Sequence, residues 1–99
     1  MKVFITNSAY SDLENIEYYY EEEGVSHVGR NLINEIIKHI QVLIDNPDIG
    51  RVVPEFGEEK IRELIHRPFR IVYLRECDSI HVIRVWRSER LLRLPDNET

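Results

Sequence analysis

The order of the hydrophobic patterns constrains the fold of this chain more than any other feature of its sequence. Apolar residues over 9–20 recur at spacings of three and four, and a broader stripe with the same period covers 26–45. This period is typical of amphipathic helices. Gly24 lies between the two stripes and Pro47 follows the second, at places where glycine and proline end helices. We therefore predict an antiparallel helical hairpin whose second helix is buried against a sheet.

The start of the first helix has two candidate capping residues. Ser8 follows Asn7 directly before the periodic stretch, and Ser11 stands three residues before Glu14 in the spacing of a capping box. Either serine hydroxyl can accept a hydrogen bond from a free backbone N–H of the first turn. We expect one of the two serines to cap the helix.

Short apolar or alternating runs predict four strands outside the hairpin. One precedes it at residues 2–6, and three follow it at 60–66, 69–75 and 79–86, with only two or three residues between them. Such short connections imply an antiparallel meander. Residues 47–57 hold two Pro and two Gly, and we predict that they form an ordered loop.

The predicted fold is α+β, with an N-terminal strand, an antiparallel helical hairpin, and a three-stranded antiparallel meander in one sheet packed on the helices. The length of 99 residues, 42% of them hydrophobic and 31% charged, suits a single domain over 1–99 with a frayed end at 95–99. No apolar run approaches the roughly 18 residues that a membrane span needs. Cys77 has no partner for an internal disulfide. We expect a cytoplasmic protein without membrane contact.

The charges are divided between the two halves of the chain. The net charge is −5, but residues 1–50 carry −6 whereas residues 60–93 carry +5, mainly through eight arginines. Guanidinium groups bind phosphate and carboxylate with a rigid pair of donors. The C-terminal half therefore predicts either a surface for an acidic partner or a sheet with a solvated charged face.

The histidines and the single cysteine predict neither a metal site nor a cofactor. The four histidines, at positions 27, 39, 66 and 81, lack both the i, i+4 spacing and the nearby cysteines of a zinc site. The chain also has no glycine-rich phosphate loop. We interpret His66 as an exposed residue at the end of a strand.

The arginines suggest one chemistry, the cleavage of RNA. Arginines on neighbouring strands can converge on one phosphate and stabilise the transition state. The reaction also needs a proton acceptor and a donor, for which Glu63 and His66 are the only local candidates. Side chains alternate along a strand, so Arg62 and Glu63 lie on opposite faces, and spacing alone gives no convincing catalytic arrangement. The candidate ribonuclease residues are Arg62, Glu63, His66, Arg70, Arg87 and Arg90.

Five segments carry a further signal through their order and intervals. They are Ala9-x-x-Asp12-Leu13-x-x-Ile16-x-x-Tyr19-Tyr20, Pro47-x-x-Gly50-Arg51-x-Val53-Pro54-Glu55, Arg62-Glu63-Leu64, Phe69-Arg70-Ile71-Val72-Tyr73 and Ile83-x-Val85-Trp86. Taken together, they resemble the RelE/ParE superfamily of bacterial type II toxins, and its ParE-like branch most closely. The resemblance covers nearly the whole chain.

The resemblance implies a small toxin that a cognate antitoxin neutralises in a hetero-oligomer, as part of an operon or plasmid maintenance module. RelE-like members cut ribosome-bound mRNA with a basic cluster and a C-terminal Tyr or His, whereas ParE-like members act on DNA gyrase without that catalytic set. Here Arg70 and Arg90 match family arginines, but Arg87 stands where a His is usual and Leu94 where a Tyr is expected. The resemblance therefore favours growth arrest through gyrase. An mRNA endonuclease and an inactive antitoxin-binding module are the alternatives.

The predicted target-binding residues are Arg70, Trp86, Arg87 and Arg90. We expect Arg70 to organise the sheet or to bind phosphate or carboxylate, and Trp86 to anchor a partner. We expect Arg87 and Arg90 to contact an acidic target surface. The antitoxin is expected on apolar surface left by the helical hairpin and the sheet, where arginines at the rim steer the encounter.

Overall fold

The computed structural model describes residues 1–87 of the 99-residue chain and has the predicted α+β architecture. In chain order the elements are β1 (Lys2–Ile5), α1 (Asn7–Glu22), α2 (Ser26–Gln41), a 3₁₀ turn (Val42–Ile44), β2 (Arg51–Val52), β3 (Ile61–His66), β4 (Phe69–Arg75) and β5 (Ser79–Arg87). No helix in this part of the chain is long and apolar enough to cross a membrane. The predicted site residue Arg90, the departure at Leu94 and the predicted frayed end at 95–99 lie outside the described residues.

The strands form one sheet in the order β1-β5-β4-β3-β2. Strands β3, β4 and β5 pair antiparallel, as the short connections predicted, and β1 lies parallel to β5 at one edge. The opposite edge is β2, which lies inside the segment that we predicted to be a loop. Its two residues pair with Arg62 and Glu63 of β3. A strand this short leaves no alternating pattern in the sequence, so tertiary pairing alone defines it.

Thr6 caps α1, so the prediction of a serine cap is wrong. The Thr6 Oγ1 accepts a hydrogen bond from the Ala9 N–H at 3.3 Å and donates to the carbonyl of Val82 in β5 at 3.0 Å. The backbone N–H of Thr6 also donates to that carbonyl, at 3.0 Å. The pairing of β1 with β5 therefore places Thr6 where the helix begins, and this long-range contact selects the cap.

The helical hairpin has the predicted turn, but α2 is shorter than predicted. Gly24 has a φ of +80°, which glycine adopts at helix ends without strain. The helix ends at Gln41 and a 3₁₀ turn replaces the last predicted residues, which is a common way for helices to end. Gly29 of α2 lies against Tyr20 of α1, since an added Cβ there would be 2.8 Å from the Tyr20 Cβ. The absence of a side chain at Gly29 thus allows a close approach of the two helices.

The main hydrophobic core lies between the helical hairpin and one face of the sheet. Each aliphatic or aromatic side chain buried there contributes about 1.5–3 kcal/mol relative to exposure. The helical members recur at spacings of three and four, as the sequence pattern predicted. The buried core residues are Ala9, Leu13, Ile16, Ile36, Ile40, Leu43, Leu64, Phe69, Ile71, Tyr73, Ile80, Val82 and Val85.

Within residues 1–87, no strand pairs with the outer edge of the second half of β5. The pairing with β1 ends at Val82, and five residues of β5 follow. The register between β4 and β5 also shifts by one residue at Val72 and Tyr73. Such a β-bulge changes the direction of the side chains beyond it. This second half of β5, residues 83–87, lies beside α1 and forms the candidate site described next.

Candidate functional site

A groove lies between α1 and the second half of β5. Its volume is about 820 Å³. Side chains of α1 at helical spacing line one wall, while β5 and the start of β4 line the other. Two of the predicted target-binding residues, Trp86 and Arg87, are in this groove. The full lining is Asp12, Asn15, Ile16, Tyr19, Tyr20, Phe69, Arg84, Val85, Trp86 and Arg87.

Asp12 fastens α1 to β5 at one end of the groove. Its carboxylate accepts hydrogen bonds from Arg84 Nε at 2.8 Å and Nη2 at 2.9 Å, and from the backbone N–H of Val85 at 2.8 Å. The bonds from Arg84 to this carboxylate raise the pKa of Arg84. The Arg84 Cζ also lies 4.9 Å from the centre of the Trp86 ring. Two charge-assisted hydrogen bonds and a ring contact therefore fix the guanidinium beside Trp86.

Aromatic rings and arginines dominate the rest of the groove. The Arg87 Cζ is 5.5 Å from the centre of the Phe69 ring, within the range of a cation–π contact. Tyr19 and Tyr20 pack edge to face with their ring centres 5.1 Å apart. Trp, Tyr and Arg are the residue types that contribute most to binding energy at protein interfaces. The composition of the groove therefore suits a protein or peptide partner.

Alternating carboxylates and guanidinium groups form a chain on the opposite face of the sheet. Glu63 of β3 accepts hydrogen bonds from Nε of Arg51 and from Nε of Arg70, each at 2.6 Å. The terminal nitrogens of Arg70 donate to the two carboxylate oxygens of Glu55 at 2.9 and 2.8 Å. We refer to Arg51, Glu63, Arg70 and Glu55 as the ion network. It connects β2, β3 and β4 with the turn that follows β2.

Hydrogen bonding stabilises the charged forms of the ion network. The bonds from Arg70 lower the pKa of Glu55 from 4.5 to about 2, against the smaller opposing effect of burial. The bonds to Glu55 and then to Glu63 raise the pKa of Arg70. Glu63 is only 1% exposed, so its two arginine partners replace the water that a carboxylate otherwise needs.

The ion network leaves Arg70 little capacity for an external ligand. Its Nε and both terminal nitrogens each donate to a carboxylate oxygen, and its side chain is 5% exposed. Of the two roles predicted for Arg70, this geometry agrees with the organisation of the sheet. A phosphate or a target carboxylate would have to displace Glu55 to reach the guanidinium.

Comparison with known proteins adds the family to this geometry. The family described as "ParE toxin of type II toxin-antitoxin system, parDE" matches residues 3–92. The chain belongs to the ParE toxin family. A solved structure described as the "Chromosomal ParDE TA system from P. aeruginosa" has a TM-score of 0.74 and 21% identity, over 88% of this chain and 95% of that chain. At this identity the similarity shows a shared fold. A search of curated proteins found no match.

In this ParE toxin the residues of the predicted ribonuclease set are not brought together. Residues that pair across a sheet share a face, so Glu63 and Arg70 lie on the face opposite the helices, whereas Arg62 and His66 lie on the helical face. Arg87 is in the groove. Glu63 and His66 therefore cannot serve one substrate as acid and base in this arrangement.

The prediction of an exposed His66 is wrong for this ParE toxin. Its Nδ1 lies 2.9 Å from the Nδ1 of His39, because α2 ends close to the last residue of β3.

Arg62, the neighbour of His66 on the same face, donates from Nη1 to the carbonyl of Gly50 at 2.9 Å. Within residues 1–87 no group of three or more His, Cys, Asp or Glu side chains is placed to hold a metal ion.

Three residues that shape the two sites of this ParE toxin were absent from the predicted set: Asp12, Tyr19 and Glu55. All three occur in the segments that resemble the family, so the resemblance was the feature of the sequence that could have indicated them. Asp12 is 72 residues from Arg84 in the chain, and Glu55 is 15 residues from Arg70. Pairings over such separations leave no local pattern in a single sequence.

Proposed function

We propose that this ParE toxin arrests bacterial growth by inhibiting DNA gyrase in the cytoplasm, and that a cognate antitoxin neutralises it by occupying the groove. The observation that carries the proposal is the presence of Trp86 and Arg87, two predicted target-binding residues, beside the aromatic wall of α1. An antitoxin bound there covers the residues with which the toxin reaches its target. Toxin and antitoxin together then maintain the plasmid or chromosomal segment that encodes them.

The lining of the groove defines the chemistry of the antitoxin segment. Tyr19 and Trp86 offer aromatic contact above a floor that the buried Ile16 and Phe69 form, so the segment should present apolar side chains to them. Arg84 and Arg87 add positive charge, which favours carboxylates at the margin of the segment. The whole chain carries a net charge of −5, so this attraction is local to the groove.

The ion network argues against the alternative of an mRNA endonuclease. A nuclease needs its arginines, its acid and its base around one phosphate and the adjacent ribose hydroxyl. Here the guanidinium of Arg70 is bonded to two carboxylates, Glu63 is buried, and His66 lies on the opposite face of the sheet. The described residues therefore favour a toxin that acts by binding.

Induction of the chain alone in a bacterial host tests the proposed target. DNA supercoiling, the SOS response and bulk translation are followed over the same minutes. Gyrase inhibition predicts an early SOS response and filamentation while translation continues. Immediate loss of translation with cut mRNA would overturn the proposal in favour of a nuclease. Growth without arrest, together with tight antitoxin binding, would overturn it in favour of an inactive antitoxin-binding module.

Charge reversal tests the target-binding role of Arg87. Arg87→Glu should relieve toxicity and reduce inhibition of purified gyrase, because it inverts the charge of the groove wall. Arg67→Glu is the matched control, since Arg67 is an exposed arginine that does not line the groove. Circular dichroism verifies that both variants are folded. Equal toxicity of the two folded variants would remove Arg87 from the target surface.

Two adjacent tyrosines of α1 provide a matched test of the antitoxin site. Tyr18 is 60% and Tyr19 54% exposed, but only Tyr19 lines the groove. Removing an aromatic side chain at the centre of an interface costs about 2 kcal/mol or more, so Tyr19→Ala should weaken antitoxin binding about thirtyfold or more. Tyr18→Ala should leave the affinity unchanged. Equal affinities of the two variants, measured by calorimetry, would place the antitoxin elsewhere.

A further inference from the structure

Two histidines contact each other through their Nδ1 atoms. They lie outside both the groove and the ion network. His39 lies in the last turn of α2 and His66 ends β3, and their Nδ1 atoms are 2.9 Å apart. Their ring centres are 5.1 Å apart and their planes are inclined by 52°. The pair joins the helical hairpin to the sheet, and the proposed function makes no use of it.

The two distances define the direction of this contact. The ring centres are 2.2 Å farther apart than the nitrogens, which is about twice the distance from the centre of an imidazole to one of its nitrogens. Both nitrogens therefore lie on the line that joins the ring centres, and the N–H bond or lone pair of each points at the other. A shared metal ion would need lone pairs that converge beside this line. The geometry is that of a hydrogen bond.

A hydrogen bond between two Nδ1 atoms requires one proton between them. One ring must carry a proton on Nδ1 while the other presents an unprotonated Nδ1. The neutral pair satisfies this when its rings are opposite tautomers, and the singly charged pair satisfies it as well. When both rings are protonated, two N–H bonds and two positive charges face each other, so the contact must break.

We propose that His39 and His66 form a clasp between α2 and β3. The clasp holds while one proton lies between the two Nδ1 atoms, and it opens when both rings are protonated. Mildly acidic solution then weakens the attachment of α2 to β3. Phe69, the cross-strand partner of His66, is also part of the groove lining. Opening of the clasp therefore loosens a strand end next to one wall of the groove.

The surroundings of the clasp oppose the uptake of a second proton. Burial, and then the charge of His66, lower the pKa of His39 from 6.5. The charged residues beside the two histidines are Glu35 and Lys38 on α2, Arg62 on the same face of β3, and Arg67 after β3, and none of them is among the causes of this shift. The neighbour on β4, Phe69, is uncharged.

The lowered pKa of His39 gives the pH dependence its sign. Below 6.5 the unfolded chain binds a proton at His39 that the folded chain still excludes, so stability falls as the pH decreases through this window. Each unit by which the folded pKa lies below the unfolded value reduces the ratio of folded to unfolded chain about tenfold. Above 6.5 both states are neutral at this residue and the effect vanishes.

Nitrogen-15 NMR of the imidazole rings tests the clasp directly. Near neutral pH, one of the two rings should carry its proton on Nδ1 and the other on Nε2. Two Nε2–H tautomers would exclude the hydrogen bond and overturn the proposal. Because the readout is the tautomer, it does not depend on any effect of the clasp on stability.

Substitution of His66 tests the coupling between the rings. In His66→Gln the pKa of His39 should rise toward 6.5, because the charge of His66 is one of the two causes that lower it. His27→Gln, at an exposed position in the first turn of α2, should leave the pKa of His39 unchanged. Glutamine can retain a hydrogen bond to His39 without titrating, so the variant should fold. An unchanged pKa in His66→Gln would refute the clasp.

Discussion

Replacement of Glu63 with glutamine removes the central charge of the ion network at nearly constant size. Arg51 and Arg70 each donate to a different carboxylate oxygen of Glu63 at 2.6 Å. A glutamine has one carbonyl oxygen, so one arginine loses its acceptor and faces an amide N–H instead. Removal of one partner from a buried ion pair costs about 3–5 kcal/mol. We expect the free energy of unfolding of Glu63→Gln to decrease by that amount.

The same substitution at Glu55 isolates the effect of burial. Glu55 also accepts two hydrogen bonds, both from Arg70, but its side chain is 48% exposed. Water can replace the lost carboxylate there, and exposed ion pairs contribute about 0–1 kcal/mol. We therefore expect Glu55→Gln to cost about 1 kcal/mol, well below the cost at Glu63, although both variants remove a partner of the same arginine.

Urea denaturation at neutral pH measures both variants, with Glu58→Gln as a control at an exposed position. Fluorescence of Trp86, the single tryptophan, and circular dichroism should give coincident transitions. An osmolyte such as sucrose can be added equally to all samples if Glu63→Gln lacks a native baseline. A cost at Glu63 no larger than that at Glu55 would refute the argument that burial determines the contribution of this network.

Three further perturbations test other parts of the structure. Asp12→Asn should lower the free energy of unfolding by about 1–2 kcal/mol, because charge-assisted hydrogen bonds between α1 and β5 are lost. Urea denaturation measures this cost, with Glu14→Gln as a control at an exposed position of α1. Gly50→Ala should cost about 1–3 kcal/mol and lower the melting temperature, since the new Cβ would lie 2.7 Å from the hydroxyl oxygen of Tyr73. The stability that Glu55 contributes should be lost as the pH falls from 4.5 toward 2, where the unfolded chain takes up the proton first. Identical acid titrations of the parent chain and Glu55→Gln would contradict this last expectation.

The fold could be predicted because its main elements have local signatures. The helices of the hairpin and the strands of the meander each contain enough residues for a hydrophobic period to be visible, and short connections fix antiparallel pairing. Besides the early end of α2, two errors in the predicted fold concern features that depend on distant partners. Thr6 is the helix cap because β1 pairs with β5, and the two residues of β2 form a strand only because β3 lies beside them.

The candidate site could be predicted only in part. The arginine-rich C-terminal half and Trp86 indicated the part of the sheet at which Trp86 and Arg87 line the groove. The carboxylates that bind the arginines could not be predicted. Asp12 lies in α1 and Glu55 in the turn after β2, both far along the chain from the arginines that they bind. Arg70 is also less accessible to a ligand than a target-binding residue needs to be, because Glu55 covers its guanidinium. The alternating pattern of a strand does not reveal that a loop will cover one of its faces.

Gly29 has a consequence for how this toxin can diverge from its relatives. It lies on α2, outside the lining of the groove, yet it allows the close approach of Tyr20, which is part of that lining. Any larger side chain at position 29 would push on Tyr20 from behind and alter the width of the groove. In the proposed mode of antitoxin binding, a substitution at this one buried position can therefore change which antitoxin segment fits, while every residue of the groove lining stays the same.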